Sequence, residues 1–353
     1  MTAAHPTVST QSLRDHVLSN IEGVLWRESF PKCDNAPIGI LTIVDAVAAY
    51  HEEGKELYPR VLITTDLDGL LKSVPFAHKI EIRRANITSR EFPDALKLCA
   101  PLATDGWVIF MEIDTHTDQI RSGLVSLELS ETSPTFYRQV FGDLSYDTGI
   151  PTIYIANIGK RVVAIDGRSG GRLVVSLTLR DHATQAVNHV QELARVISFS
   201  CEDDHRDTVE NFVTKLLETG LRDCHGALIA VVKDDITAIE ILKNSLTDGT
   251  YLEDPIDTPG HLKNCEAERT PEAFTRARLF ADIVKNMLSF DGITVFTNTA
   301  RVLAYHCFVK DSGPGSGSTG ARSRAYEAMI GSNIFTCCFC RSQDGDERIW
   351  ESK

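Results

Sequence analysis

An aspartate and two arginines are the residues of this chain whose types and spacing best suit work on a phosphate. Asp291 stands in Phe290-Asp291-Gly292-Ile293, an acidic turn at the mouth of the apolar run Ile293-Thr294-Val295-Phe296. Further on, a segment made mostly of Ser and Gly, 312–320, leads into Gly320-Ala321-Arg322-Ser323-Arg324-Ala325. That stretch opens a helix predicted over 322–329. A glycine-rich loop entering a helix turns several backbone N–H groups toward one point, which suits a phosphate. Two arginines in a first helical turn oppose the helix dipole unless an anion joins them. A carboxylate, a glycine cradle and two guanidinium groups together fit phosphoryl or nucleotidyl transfer. The plainer reading stands beside it: Asp-Gly is first a turn dipeptide, and a Gly/Ser run is first a linker.

The elements that must position these groups follow from length and pattern. With 353 residues the chain has room for two domains, and 42% hydrophobic with 24% charged residues allows sizeable cores. A net charge of −13 speaks against a general binder of polymeric nucleic acid or membrane surface. No apolar run reaches the length of a membrane span. The first nine residues lack the cations of a signal peptide and are expected to be a disordered tail. Nine scattered cysteines fit reduced thiols in a cytoplasm. The Cys337-x-x-Cys340 spacing falls in an apolar strand pattern, where alternate residues face opposite sides. Core packing is therefore favoured over a metal site.

The first half mixes helices with strands. A helix is expected to start near Thr10, capped by Ser9 or Thr10, with an apolar stripe of Leu13, Val17, Ile21 and Leu25. Helices are also predicted over 40–50 and 89–99, and strands over 60–65, 79–84, 107–113, 123–129 and 151–156. A hairpin joins 161–165 to 172–177. A helix over 182–199 leads to the polar stretch Ser200–Asp207, near which the domain boundary is placed. This divides the chain into a domain over 10–203 and another over 204–353. Cys201-Glu202-Asp203-Asp204-His205 reads as a helix start with acids complementing the dipole, rather than as a metal cluster. The second half predicts a buried strand at 226–232, irregular acidic sequence over 248–258 and a helix over 271–288. That helix has Phe274, Leu279, Ile283 and Met287 available to a core. Hairpin strands at 293–296 and 301–309 come next, then the loop and helix described above. Asn333–Cys340 and a tight turn at 343–346 close the chain before Arg348-Ile349-Trp350. The order gives an α/β domain, a mixed sheet with helices on its faces, behind an N-terminal domain that also mixes helix and strand.

At these residues the C-terminal half, roughly 206–352, resembles the diadenylate cyclase (DAC) family, nucleotidyltransferases that condense two ATP into cyclic di-AMP. The resemblance rests on the strand around Gly226-Ala227-Leu228-Ile229 and on Asp291-Gly292-Ile293, where the family has Asp-Gly-Ala. It rests further on Gly320-Ala321-Arg322-Ser323-Arg324-Ala325, where the family has Gly-Thr-Arg-His-Arg-Ala, and on the closing Arg341-Ser342-Gln343-Asp344-Gly345. The N-terminal half is similar in architecture to the DACNV domain, a sensor found ahead of such cyclases.

The resemblance implies that Asp291 holds Mg or Mn, or orients the attacking ribose 3′-hydroxyl. Gly292 and Ile293 would line ribose and base. Thr319, Gly320, Ala321, Arg322, Ser323 and Arg324 would surround the phosphates, and Ser342 would close the pocket. It also implies a homo-oligomer with two sites face to face. Ala321 and Ser323 depart from the family's Thr and His, so two phosphate-touching groups are missing. Two functions stay open: a sensor-regulated cyclase, or a degenerate DAC fold that binds a nucleotide or cyclic dinucleotide as a signal.

Overall fold

The computed structural model describes residues 12–52, 54–72, 78–103, 107–126, 149–177, 182–268, 270–310, 321–343 and 345–352. Within them the chain is mixed α/β, built on two seven-stranded mixed sheets with helices packed against their faces.

The chain opens with α1 (Leu13–Arg27). Ser12 caps it: the Ser12 hydroxyl accepts from the Asp15 N–H, and the Asp15 carboxylate accepts from the Ser12 N–H. The expected caps, Ser9 and Thr10, lie outside the described residues, as does the 1–9 tail. Val17, Ile21 and Leu25 are buried as the periodicity requires; the Leu13 side chain is outside the described ones. Helix α2 (Asn35–Val47) starts before the apolar pattern does, because Pro37 is tolerated in a first turn whose N–H groups have no helical partner. A short hairpin, β1 (His51–Glu52) and β2 (Lys55–Glu56), precedes β3 (Val61–Thr64), α3 (Leu67–Leu71), β4 (His78–Asn86) and α4 (Glu91–Cys99). Next come β5 (Trp107–Asp114), β6 (Gln119–Ser126), β7 (Thr152–Gly159), β8 (Val162–Gly167) and β9 (Arg172–Ser176). Strand β6 starts earlier than expected, and 127–129 lie outside the described residues.

The first sheet has the order β4-β6-β5-β3-β7-β8-β9, and only β3 and β5 run parallel. Alternation along the strands divides its side chains between two cores. Val61, Ile63, Ile109 and Met111 meet α1, α2 and α4, while Leu62, Val108, Phe110 and Tyr154 face the other way.

Helix α5 (His182–Ser198), which the sequence reading sets in the first domain, packs on the second sheet instead, and α6 (Asp203–Asp223) follows it. Asp203 and Asp204 fall in the first turn of α6, where carboxylates complement the dipole; Glu202 makes no capping bond and pairs with Lys263 instead. There follow β10 (Ala227–Val232), α7 (Ile236–Ser245), β11 (Leu246–Thr247), β12 (Thr250–Asp257), α8 (Thr258–Glu268) and α9 (Pro271–Leu288). The chain then forms β13 (Ile293–Thr297), β14 (Arg301–Val309), α10 (Ala321–Gly331), β15 (Cys337–Arg341) and β16 (Glu347–Glu351). The acidic stretch expected to be irregular thus holds an edge strand, β12, paired to β14. Its register breaks between Tyr251 and Ile256, and that break contains Pro255, which an interior strand would not tolerate.

The order of the second sheet is β11-β14-β13-β10-β15-β16. Its centre, β10, is buried along its whole length, which explains its unbroken apolar sequence. Ile229, Val231, Cys337 and Phe339 pack with α5, α6 and α9; Leu228, Ala230, Cys338 and Cys340 pack with α7 and α10. Helix α9 corrects the sequence reading of its own core face. Leu279 and Ile283 are exposed, at 53% and 45%, whereas Ala273, Ala277, Ala281, Val284 and Leu288 are buried. Small residues let the helix approach two neighbours closely, so size misleads where spacing does not. The Phe274 side chain is outside the described ones.

The two halves share contacts. Cys265, Ala273 and Ala277 of α8 and α9 complete the second core of the first sheet. Arg172 Nη2 bonds Glu218 at 2.6 Å, Lys215 Nζ reaches Asp166 at 3.1 Å, and the Arg222 guanidinium lies over the Tyr58 ring. No helix among the described residues is long and apolar enough to cross a membrane.

Candidate functional site

Register brings the candidate residues to one end of the central strands of the second sheet. Strands β10 and β13 run parallel with Leu228 opposite Ile293, and β15 runs antiparallel to β10 with Arg341 opposite Ala227. Asp291 and Gly292 immediately precede β13, Gly226 immediately precedes β10, and Ser342 immediately follows β15. Because β13, β10 and β15 are neighbours, the three segments form a short row across one end of the central strands.

Arg322 reaches this row from α10. Its Nη1 donates to the His225 carbonyl at 3.0 Å. Gly226 has φ +124°, and a Cβ there would lie 2.8 Å from Arg322 Nη1 and 2.9 Å from the Arg341 carbonyl oxygen. Both the conformation and the close approach require glycine.

Asp291 is exposed, and its carbonyl oxygen lies 2.6 Å from His306 Nδ1. Gly292 has φ +96°, with the Cys307 carbonyl oxygen 3.0 Å from where a Cβ would be. The Ile293 side chain is buried with Tyr326 and Met329, so its bulk is spent in the core. Ser342 turns inward on its own hairpin: its N–H donates to the Asp346 carbonyl at 2.8 Å and its hydroxyl accepts from the Asp346 N–H at 3.0 Å.

Helix α10 parts the remaining candidates. Ala321 and Arg324 are exposed, while Arg322 and Ser323 are half-buried. At about 100° per residue, Arg324 sits about 200° around the helix from Arg322. Arg322 therefore faces the strand ends, and Arg324 leaves the opposite flank. Ser323 Oγ accepts from Arg348 Nη2 at 2.9 Å. Thr319 and Gly320 lie outside the described residues.

Two neighbours of the site were not singled out from sequence. Arg348 stands opposite Cys340 on β16, lies over the Tyr326 ring at 4.7 Å and reaches Ser323. Its position follows from the register of the closing hairpin, a signal available once that turn is recognised. His306 has no sequence signal, because it reaches Asp291 only through a break in the β13–β14 register.

The donor chemistry separates possible cation sites. Burial pushes the Cys338 thiol up to about 12 and that of Cys337 higher still, so neither supplies a thiolate near neutrality. Cys337 faces one core, and Cys338 and Cys340 the other. Among the described residues Glu202, Asp204 and His205 could gather around an ion, but Lys263 holds Glu202 and the group is largely exposed. Asp291 offers a single exposed carboxylate, which suits Mg or Mn, ions that take one or two protein carboxylates and complete their shells with water and phosphate oxygens.

The second half is thus an α/β sheet unit that holds Arg322 against the start of β10 and places Asp291 just before the adjacent strand β13. No family model matches the chain, and no curated protein matches it.

Proposed function

We propose that this end of the sheet binds ATP and that the chain is a diadenylate cyclase, joining two ATP into cyclic di-AMP with release of pyrophosphate. The first half would serve as a DACNV-like sensor. The observation that supports this most is the placement of Asp291 one strand from Gly226, against which Arg322 is packed.

In this reading the Asp291 carboxylate orients the ribose 3′-hydroxyl. The hydroxyl gives its proton to the Asp291 carboxylate and on to water, its oxygen bonds to the α-phosphorus of the opposed nucleotide, the α–β bridging bond breaks, and pyrophosphate leaves toward cations. Arg322 supplies that charge from the sheet side, with Arg348 beside Ser323, whereas Arg324 points to the opposite flank of α10 and takes no part. Mg or Mn bound at Asp291 would neutralise phosphate charge during the transfer. A cyclic product needs the step twice, which calls for two copies of the chain with these strand ends opposed.

A second reading is favoured by one contact. Ser323 stands where the family has a histidine and already accepts from Arg348, while Ala321 has no hydroxyl to offer. Weakened phosphate contacts fit a sensor that binds a nucleotide without turning it over.

Incubating the full chain with ATP and Mn²⁺, followed by chromatography, tests both. The cyclase reading expects a cyclic dinucleotide and pyrophosphate. Thermal stabilisation by ATP without product supports the sensor, and neither product nor stabilisation overturns both.

A further inference from the structure

The residue whose imidazole meets the Asp291 carbonyl is in a conformation that side-chain-bearing residues seldom adopt. His306 has φ +56°. It lies where the β13–β14 pairing slips: Ile293 is opposite Cys307 but Val295 is opposite Ala304, so Tyr305 and His306 together face Thr294. An extra residue of this kind re-aims a side chain. Here it swings the imidazole across the strand end, to 2.6 Å from the Asp291 carbonyl.

A carbonyl only accepts, so Nδ1 carries the proton and Nε2 of the neutral ring is the acceptor. The ring is edge-on to Phe290, 6.2 Å away at 71°, and to Phe308, 5.2 Å away at 83°, and these neighbours hold its tilt. The backbone presses from the same side: a Cβ on Gly292 would fall 3.0 Å from the His306 carbonyl carbon. A bulge that served only to bend the strand would need no imidazole, and glycine or asparagine would adopt the left-handed conformation more readily. Strained backbone of this sort concentrates at working sites.

From this geometry we infer that His306 is a positioning residue, whose Nδ1–H fixes the Asp291 backbone and so aims its carboxylate at the metal–nucleotide complex. The inference rests on the nucleotide reading above. Removing a group that orients a metal ligand typically costs about 10–100-fold in metal affinity.

Two amide substitutions separate the roles of the ring nitrogens. His306→Asn tolerates the left-handed backbone and sets an amide N–H near the Nδ1 position. His306→Gln carries its amide out toward the Nε2 position and gives up the contact with Asp291. The full chain is titrated with Mn²⁺ and a non-hydrolysable ATP analogue, with free Mn²⁺ followed by electron paramagnetic resonance. Thermal unfolding without ligand reports the fold. The inference expects His306→Asn within about threefold of the unmodified chain, and His306→Gln and His306→Ala weaker by about tenfold or more, the range seen when such supporting partners are removed. A His306→Gln variant that binds well beside a failing His306→Asn would make Nε2 a ligand and overturn it. Variants that all bind like the unmodified chain would overturn it and leave the nucleotide reading intact. Absence of Mn²⁺–nucleotide binding by the unmodified chain would overturn both.

Discussion

The guanidinium of Arg322 occupies the space that a side chain on Gly226 would take: Nη1 lies 2.8 Å from the ideal Cβ position and donates to the carbonyl of the preceding residue, His225. A helix cation is thereby locked to the end of the central strand. Gly226→Ala should displace Arg322 and also strain a backbone at φ +124°. The expected result is an ATP affinity lower by about tenfold or more, the worth of a charge-assisted hydrogen bond. Calorimetric titration of the folded variant measures it.

Asp291→Asn keeps size and hydrogen-bonding capacity but removes the charge. Turnover of ATP should fall by at least about a hundredfold, as for loss of a group acting on developing charge. Nucleotide binding in the absence of metal should change by no more than about threefold, since the cations supply it. Single-turnover assays beside binding titrations separate the two effects.

The centre of the second sheet was readable from sequence because it is buried on both faces, so composition alone marks it. Cys337 and Phe339 pack on one face and Cys338 and Cys340 on the other, as strand alternation demands. Phe339→Ala should therefore cost about 3–5 kcal/mol of stability, measured by denaturant unfolding. The edges were harder to read. Strand β12 hides behind acidic residues and Pro255, and α9 buries alanines while exposing Leu279 and Ile283. The candidate site was legible in part: motif spacing led to Asp291 and Arg322, and the structure puts Asp291 just before β13 and Arg322 against the start of the neighbouring β10. His306 and Arg348 join them through a bulge and a hairpin, long-range geometry that spacing along the chain does not encode.

Glu347 supplies a pH prediction. It pairs with Arg341 of β15 at 3.1 Å from the edge strand β16, its side chain is 2% exposed, and its Oε2 has no hydrogen-bond partner among the described residues. Burial raises its carboxyl from 4.5 to about 7, against the opposing effect of Arg341. A carboxyl whose pKa is higher folded than unfolded binds more protons in the folded state between those values. Stability from this group is thus fully present below about pH 4.5 and is lost as pH rises to about 7. Glu347→Gln should flatten that window, seen as a smaller change in unfolding free energy between pH 5 and pH 7 than in the unmodified chain, with both followed in the same buffers.

The central claim is that a nucleotide sits between Asp291 and Arg322. Titrating a non-hydrolysable ATP analogue with Mn²⁺ into the full chain and into Arg322→Ala tests it most directly. The account expects saturable binding by the unmodified chain and a loss of about tenfold or more in the variant. Equal affinity in the two proteins, or no binding by either, would contradict it.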